Sequence, residues 1–204
     1  MRTRPRKIPG QKRSRVTVAA LLEATARVLV KDGYEAASTN KIANTAGVSI
    51  GSLYQYFPNK EALVAAVIDR HTEEMMELVR EALVKVAQQP VEVAVRELVS
   101  IMIDAHRVDP PLHRALVQQV PRVGRLESIE AIDREAYALV RAYLEAHCGE
   151  VNVPDLDVAS FICVAAVESL THSAVITRPD VLEDKASVLI DEVTRLVVSY
   201  LRKT

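Results

Sequence analysis

Apolar side chains recur along this chain at intervals of three and four residues, which is the spacing of one face of an α-helix. Residues 17–32 form the first such segment, and Gly33 follows where a helix C′ residue belongs. Stretches rich in β-branched residues, such as 193–198, lie inside longer helical patterns, so we expect an all-α protein. Further helices are predicted at 39–46, 50–56, 59–88, 91–108, 110–120, 122–148, 155–177 and 181–202.

A glycine and a proline mark the ends of two short helices predicted within residues 38–57. Gly47 supplies a tight turn after the first of them, and Pro58 stops the second. The small side chains of Ala43 and Ala46 let two helices cross closely, as a helix-turn-helix requires. The sequence therefore predicts a helix-turn-helix over this stretch.

The outer face of the predicted helix 50–56 is small and polar. An ordinary surface helix would carry lysine and glutamate at these positions. Because small side chains permit close approach to base edges in a major groove, this face indicates a helix that reads DNA. The residues of the face are Ser49, Gly51, Ser52 and Gln55.

Lys60 lies at the predicted start of the next helix, where the helix macrodipole disfavours a cation. A phosphate bound there would resolve the conflict, because the backbone N–H groups of the helix start also attract anions. Alternatively, Lys60 is solvated and its charge is compensated by Glu61. The sequence leaves both interpretations open.

Charge is unevenly distributed along the 204 residues, although the net charge is only −1. Residues 1–63 contain eleven Lys/Arg and four Asp/Glu, whereas residues 64–204 contain fifteen Lys/Arg and twenty-three Asp/Glu. Residues 1–15 alone hold seven Lys/Arg, no acid and two prolines, and are predicted to be a disordered basic arm. A basic head on an acidic body indicates a polyanionic partner for the head.

Residues 39–63 resemble the DNA-binding motif of the TetR/AcrR family of bacterial regulators. The similarity is specific and extends over roughly residues 16–65, whereas the remainder resembles the family only in length and helicity. The residues that match the family pattern are Thr39, Ile42, Ala43, Ala46, Gly47, Val48, Ser49, Gly51, Leu53, Tyr54, Tyr56, Phe57, Lys60 and Leu63.

The resemblance implies a role for individual residues of this motif. Ile50 is expected against a thymine methyl group and Gln55 against an adenine edge. For Tyr54 the alternative is a packed ring whose hydroxyl is exposed. The residues expected to bind phosphates are Thr39, Tyr54, Tyr56 and Lys60. The residues expected to face the groove are Ser49, Ile50, Ser52 and Gln55.

The hydrophobic pattern and the family resemblance together predict that the chain has three parts. Residues 1–15 are the basic arm, and residues 16–60 are a three-helix DNA-binding domain with the helix-turn-helix. Residues 61–204 form a larger helical domain for effector binding and dimerisation.

The helices predicted at 155–177 and 181–202 are apolar on more than one face. Such helices are buried, and a second subunit can supply the burial. The resemblance implies the same arrangement, a homodimer held by a four-helix bundle. The apolar stripes consist of Ala159, Ile162, Ala166, Leu170 and Ser173 on one helix, and of Leu182, Leu189, Val193, Leu196 and Tyr200 on the other.

A surplus of aliphatic residues, with no Trp and two Phe, favours an internal pocket for a small, largely apolar effector. The alternative is a solid core, and the family resemblance is the main reason for preferring the pocket. Residues 111–122 form either a helix beside that pocket or an ordinary connector. Glu168 faces either a ligand or the dimer seam. The polar ligand contacts are expected from His106, Gln118, Tyr137 and His172.

The spacing of the chemically reactive residues predicts neither an enzyme nor a metal site. The five histidines show no i, i+4 pair and no HExxH motif, so we expect no metal and no cofactor. Cys148 and Cys163 are interpreted as reduced, buried side chains. Because long apolar runs and a signal peptide are not evident, we expect a cytoplasmic protein without a membrane partner.

The sequence therefore predicts a DNA-binding transcriptional regulator. Its expected form is a repressor that a small ligand releases from a palindromic, double-stranded operator. Two alternatives are a ligand-responsive activator and a helical small-molecule-binding protein without DNA function. The second alternative gives no account of residues 38–63.

Overall fold

The computed structural model describes residues 12–117 and 127–202, and all regular elements within these ranges are helices. The all-α expectation is confirmed for the described chain. The helices are α1 (Lys12–Ala36), α2 (Thr39–Ala46), α3 (Ile50–Tyr56), α4 (Lys60–Val86), α5 (Val91–Val108), α6 (Pro110–Val117), α7 (Glu127–Ala146), α8 (Leu156–Thr177), α9 (Pro179–Asp184) and α10 (Ala186–Leu201).

Helix α1 begins earlier and ends later than the sequence predicted. It starts at Lys12, so residues 12–15, which were assigned to the disordered arm, are helical. Residues 1–11 of the predicted arm lie outside the described residues. Gly33 has φ 74° and ψ 173°, a left-handed conformation that glycine adopts without steric cost, and it kinks the helix before Ala36.

Side-chain caps and a left-handed glycine set the bounds of α2 and α3. The Ser38 hydroxyl accepts a hydrogen bond from the Lys41 backbone N–H, and the Ser49 hydroxyl accepts one from Ser52. Gly47 has φ 68° and ends α2 in the left-handed conformation. Both helices have the predicted bounds, because these caps act within three or four residues of the chain.

The chain divides into two compact units. The described residues of the first unit are 12–72, 111–117 and 127–129, and those of the second are 73–110 and 130–202. The division inside α4 differs from the predicted boundary after residue 60. It differs because the apolar side chains at the start of α4 belong to the same buried cluster as the helix-turn-helix.

The core of the first unit is aliphatic apart from one phenylalanine. Phe57, which caps the end of α3, is almost completely buried, and Thr25 is a buried polar residue of this core. The Thr25 hydroxyl donates to the Leu21 carbonyl at 2.7 Å, so its burial leaves no unsatisfied donor. The largest buried side chains around Phe57 are Leu21, Ile42, Leu53, Leu63, Val64 and Val67.

The core of the second unit joins α5, α7, α8 and α10. On the part of α4 that belongs to this unit, Met76, Ala82, Leu83 and Val86 are buried, whereas Leu78 is exposed. Helix α7 contributes Leu144 as its buried residue among those described, and its other apolar side chains are half-buried or exposed. The central buried side chains are Val91, Val99, Ile103, Leu144 and Leu201.

Helix α8 is long and apolar enough, by length and composition, to cross a membrane, with 33% of its most apolar window buried. From the sequence, every apolar run was expected to be too short to cross a membrane. The length of α8 differs from that expectation because its apolar run continues on both sides of Glu168. Part of its apolar surface remains exposed in the single chain.

Candidate nucleic-acid interface and effector region

Helix α3 presents a small, solvent-facing surface that begins with its cap. The hydroxyls of Ser49 and Ser52 lie 2.8 Å apart, and Ser49 also accepts from the Ser52 backbone N–H at 3.1 Å. Ser49 therefore stabilises the helix start, while Ser52 is half-buried beside it. Of the residues predicted to face a groove, Ile50 and Gln55 are both exposed, and Ile50 is 37% exposed.

Two of the predicted phosphate contacts lie side by side. The hydroxyl of Thr39, at the start of α2, is 3.0 Å from the hydroxyl of Tyr54 on α3. The Tyr54 residue is 40% exposed, and a phosphate contact by its hydroxyl stays a prediction. Tyr56 is half-buried and packs against the core of the first unit.

Lys60 has partners inside the first unit that the sequence did not predict. Its ammonium donates to the Tyr34 carbonyl at 2.9 Å and lies 3.9 Å from the centroid of the Tyr34 ring. The Tyr34 hydroxyl in turn donates to Glu61 at 3.3 Å. The end of α1 therefore compensates a cation at the start of α4, and a phosphate contact by Lys60 stays a prediction.

Two of the residues predicted to bind an effector meet in the second unit. His106 on α5 is buried, and its Nδ1 lies 2.5 Å from the Met102 carbonyl oxygen. The His172 ring on α8 stands edge-on to it, with ring centroids 6.1 Å apart. Burial lowers the pKa of His172, so this imidazole favours its neutral form.

The other two predicted effector contacts have different outcomes. The Tyr137 ring contacts Phe161 with a centroid distance of 5.8 Å, a partner that the sequence analysis missed. Gln118 lies outside the described residues.

Glu168, whose role the sequence left open, lies one helical turn before His172 on α8. Its side chain reaches the surface, yet the surrounding protein raises its pKa by desolvation, and the Asp133 carboxylate raises it further. Acidic groups of α7 and α8 therefore lie near enough to interact.

The first unit contains a histidine pair that sequence spacing could not reveal. His71 Nε2 on α4 lies 3.0 Å from His113 Nδ1 on α6, with ring centroids 5.3 Å apart. One ring donates and the other accepts. At most one of these two imidazoles therefore carries a positive charge while the bond exists. The residues lie on different helices, and a search for short sequence spacings overlooks such a contact.

The exposed apolar face of α8 and α10 differs in part from the predicted dimer stripes. Ala159, Leu182 and Val193 were placed on those stripes but are buried within their own unit. Ile162, Leu170, Leu196 and Tyr200 are exposed, as a contact with another chain requires. Exposed apolar residues that the stripes omitted are Val158, Phe161 and Val188.

The two cysteines differ in environment. Cys163 is buried, and desolvation raises the pKa of its thiol to about 11. Cys148 is exposed, so its predicted burial is wrong. It follows α7 at a turn, where no helix partner covers it.

Comparison with known proteins connects part of the chain to named regulators. Over 63 residues it is 46% identical to the transcriptional activator FasR of Mycolicibacterium smegmatis, covering 31% of this chain and 29% of the relative. Over 64 residues it is 36% identical to the repressor KstR of the same species, covering 31% of each. The match thus spans less than a third of the length of these relatives.

Solved structures show the same fold over nearly the whole chain. The fatty acid degradation regulator FadR from Bacillus halodurans has a TM-score of 0.69 at 22% identity, covering 97% of this chain and all of that one. SmeT, the repressor of a Stenotrophomonas maltophilia multidrug efflux pump, has a TM-score of 0.67 at 19% identity, covering 93% and 92%.

Two family models match the chain in succession. Residues 21–67 match the model of bacterial regulatory proteins of the tetR family. Residues 90–201, more than half of the chain, match the tetracycline repressor-like C-terminal domain. The chain therefore belongs to the tetR family of bacterial regulatory proteins.

Proposed function

We propose that this protein is a sequence-specific DNA-binding transcriptional repressor that reads its operator with α3. The observation that carries the proposal is the exposed hydroxyl pair of Thr39 and Tyr54 beside the small, polar face of α3. Hydroxyls of this kind donate to phosphates and fix the register of a protein on DNA, while a small face lets the helix approach base edges.

Base recognition is assigned to the exposed side chains of α3. Gln55 can hydrogen-bond an adenine edge in a bidentate manner, and Ile50 can contact a thymine methyl group. Ser49 and Ser52 keep the helix start in place through their mutual hydrogen bond and supply the small surface around these two contacts. Tyr56 and Lys60 are assigned to phosphates together with the hydroxyl pair.

The active species is a homodimer formed through α8 and α10. Leu196 is 55% exposed and Phe161 is 54% exposed, and they are two of several exposed apolar side chains on α8 and α10, as is typical of a protein–protein interface. A second copy of the same helices would cover both. Because a two-fold dimer presents two identical reading helices, its operator is a palindrome.

A small, largely apolar effector releases the repressor. His106, Tyr137 and His172 are the described residues assigned to its polar contacts, and Gln118 is assigned by sequence alone. The effector acts only if it binds the DNA-free conformation more tightly. A coupling of about 1–3 kcal/mol would weaken operator binding roughly 5- to 150-fold, and operator DNA would weaken effector binding by the same factor.

The alternative within this function is activation, since one relative is named as an activator and another as a repressor. We place the protein in the cytoplasm, where operator DNA is found, and assign it no enzymatic activity. The exposed apolar face of α8 is assigned to the second subunit and not to a membrane.

The test is selection of bound sequences from a random double-stranded library with the full-length protein. We expect enrichment of a palindromic site whose half-sites lie about one helical turn, or a multiple of it, apart. A reporter gene placed behind that site should be expressed more strongly when the protein is removed from the cell. Failure to enrich any site would refute the DNA-binding proposal, and weaker reporter expression on removal would refute repression.

A further inference from the structure

His106 and His172 come from different helices of the second unit, and their rings meet edge to face. Their rings are nearly perpendicular, at 83°, and their centroids are 6.1 Å apart. Their ligating ring nitrogens lie within 4.8 Å of each other. No metal was predicted from the sequence, because the histidines are not close along the chain. Spacing along the chain does not report contacts between helices.

The orientation of His106 is fixed by its own helix. A carbonyl oxygen only accepts hydrogen bonds, so the 2.5 Å contact with the Met102 carbonyl places the proton on Nδ1. The lone pair of the neutral ring is then on Nε2. Metal-binding histidines usually donate their second ring nitrogen to a carbonyl or carboxylate in this way, which fixes the tautomer and the ring plane.

The separation of the nitrogens suits a single small ion. A tetrahedral ion with metal–nitrogen bonds of about 2.0–2.1 Å holds two ligand nitrogens roughly 3.3 Å apart. The two nitrogens lie within 4.8 Å of each other, so one ion can be reached by both with at most a small side-chain rotation. His172 is half-buried, whereas His106 is buried and its Nδ1 lies against the Met102 carbonyl.

The acidic residues near the two histidines favour a bound cation. Glu168 lies one turn before His172 on α8, and residues spaced by four share one face of a helix. The carboxylates of Glu168 and Asp133 interact unfavourably with each other. A cation bound beside them would offset that repulsion.

We propose that His106 and His172 bind a divalent first-row transition-metal ion between α5 and α8. Imidazole ligands select ions such as Zn²⁺, Co²⁺ and Ni²⁺ over Mg²⁺ or Ca²⁺, which prefer oxygen. Water or other donors complete the coordination sphere. The site shares His106 and His172 with the proposed effector site, and metal binding itself does not require that the protein bind DNA.

The experiment uses the untagged, full-length protein after treatment with a chelator. Co²⁺ is titrated and followed by its visible absorption, and Zn²⁺ is then added to displace it. We expect saturable Co²⁺ binding at one strong site per chain, displaced by Zn²⁺ and unaffected by Mg²⁺. Absence of saturable binding would overturn the proposal, irrespective of the result of operator selection.

Variants locate the site. His172→Ala should weaken Co²⁺ binding by about 10- to 100-fold. The matched control is His147→Ala, since His147 is also half-buried and its Nδ1 also lies near a backbone carbonyl, that of Tyr143, at 2.9 Å. Equal affinities of the wild type and His172→Ala, or an equal loss in His147→Ala, would overturn the assignment.

Thermal unfolding provides a second measurement in case a variant is destabilised. An ion that binds only the folded state raises the unfolding temperature. We expect Zn²⁺ to raise the Tm of the wild type and of His147→Ala, and to leave that of His172→Ala unchanged. An equal rise in all three proteins would place the ion elsewhere.

Discussion

The hydroxyl oxygens of Thr39 and Tyr54 lie 3.0 Å apart, although the two residues belong to different helices. This contact ties the start of α2 to the middle of α3 while Tyr54 remains 40% exposed. The two proposed phosphate donors are therefore held in one place in the absence of DNA. Donors that are already positioned lose less conformational freedom on binding than flexible ones.

Replacement of Tyr54 by phenylalanine should weaken DNA binding without changing sequence preference. The variant keeps the packed ring and removes one hydroxyl, so we expect a loss of about 0.5–1.5 kcal/mol on operator and unrelated DNA alike. Fluorescence anisotropy with both duplexes measures this. Tyr143→Phe, which removes a hydroxyl bonded to the Gln89 carbonyl in the second unit, is the control. A loss confined to the operator would show that Tyr54 reads bases.

Replacement of Gln55 by alanine should change which base is preferred. Its side chain is exposed on α3, and a bidentate contact to adenine contributes about 1–3 kcal/mol of discrimination at one base pair. Library selection with the variant should show relaxed preference at one position in each half-site. Gln88→Ala, an exposed glutamine between α4 and α5, should leave the selected site unchanged. An unchanged site with Gln55→Ala would remove Gln55 from the reading face.

Deletion of residues 2–11 should reduce the salt dependence of DNA binding. The deletion removes four Lys/Arg and leaves α1, which begins at Lys12, intact. For every phosphate that the shortened protein no longer neutralises, the slope of log K against log salt flattens by about 0.9. Affinities measured across a salt series give the slope, and a slope equal to that of the full chain would place the arm away from the DNA.

Arginine at Leu196 should separate the dimer into monomers. Leu196 is exposed on α10, and an unpaired charge buried between two subunits is strongly destabilising. Sedimentation velocity measures the change. Val84→Arg is the matched control, because Val84 is 79% exposed on α4 and lies outside the proposed interface. A monomeric wild-type protein at micromolar concentration, or a dimeric Leu196→Arg variant, would contradict the proposed interface.

The two thiols should react at very different rates. Cys148 is exposed, whereas Cys163 is buried and its pKa of about 11 keeps it protonated at pH 8. A thiol reagent should modify one cysteine per folded chain rapidly and the second only after unfolding. Cys148→Ser should abolish the rapid phase. A rapid phase that persists in Cys148→Ser would show that Cys163 is accessible.

The helix-turn-helix was predictable because its signals are local. Ser38 and Ser49 cap their helices through hydrogen bonds to residues three positions ahead, and Gly47 supplies the left-handed turn between them. None of these interactions depends on how distant parts of the chain pack. The bounds of α2 and α3 therefore follow from the sequence.

Burial on the long helices was less predictable. Helical periodicity identifies which residues share a face, but a helix with several apolar faces does not reveal which face its own chain covers. Ala159 and Leu196 were both placed on the dimer stripes, yet the first is buried in its own unit and the second is exposed. The neighbouring helices decide this, through their crossing angles and their positions along one another.

The sequence by itself determined the all-α architecture, the bounds of α2 and α3 and the family, because periodicity, caps and a contiguous motif act within a few residues. Only the tertiary structure decided that Lys60 contacts Tyr34 and that His106 meets His172. In each pair the two residues are far apart in sequence. Their contact depends on how two separate helices pack, and no local pattern encodes the distance between side chains on different helices.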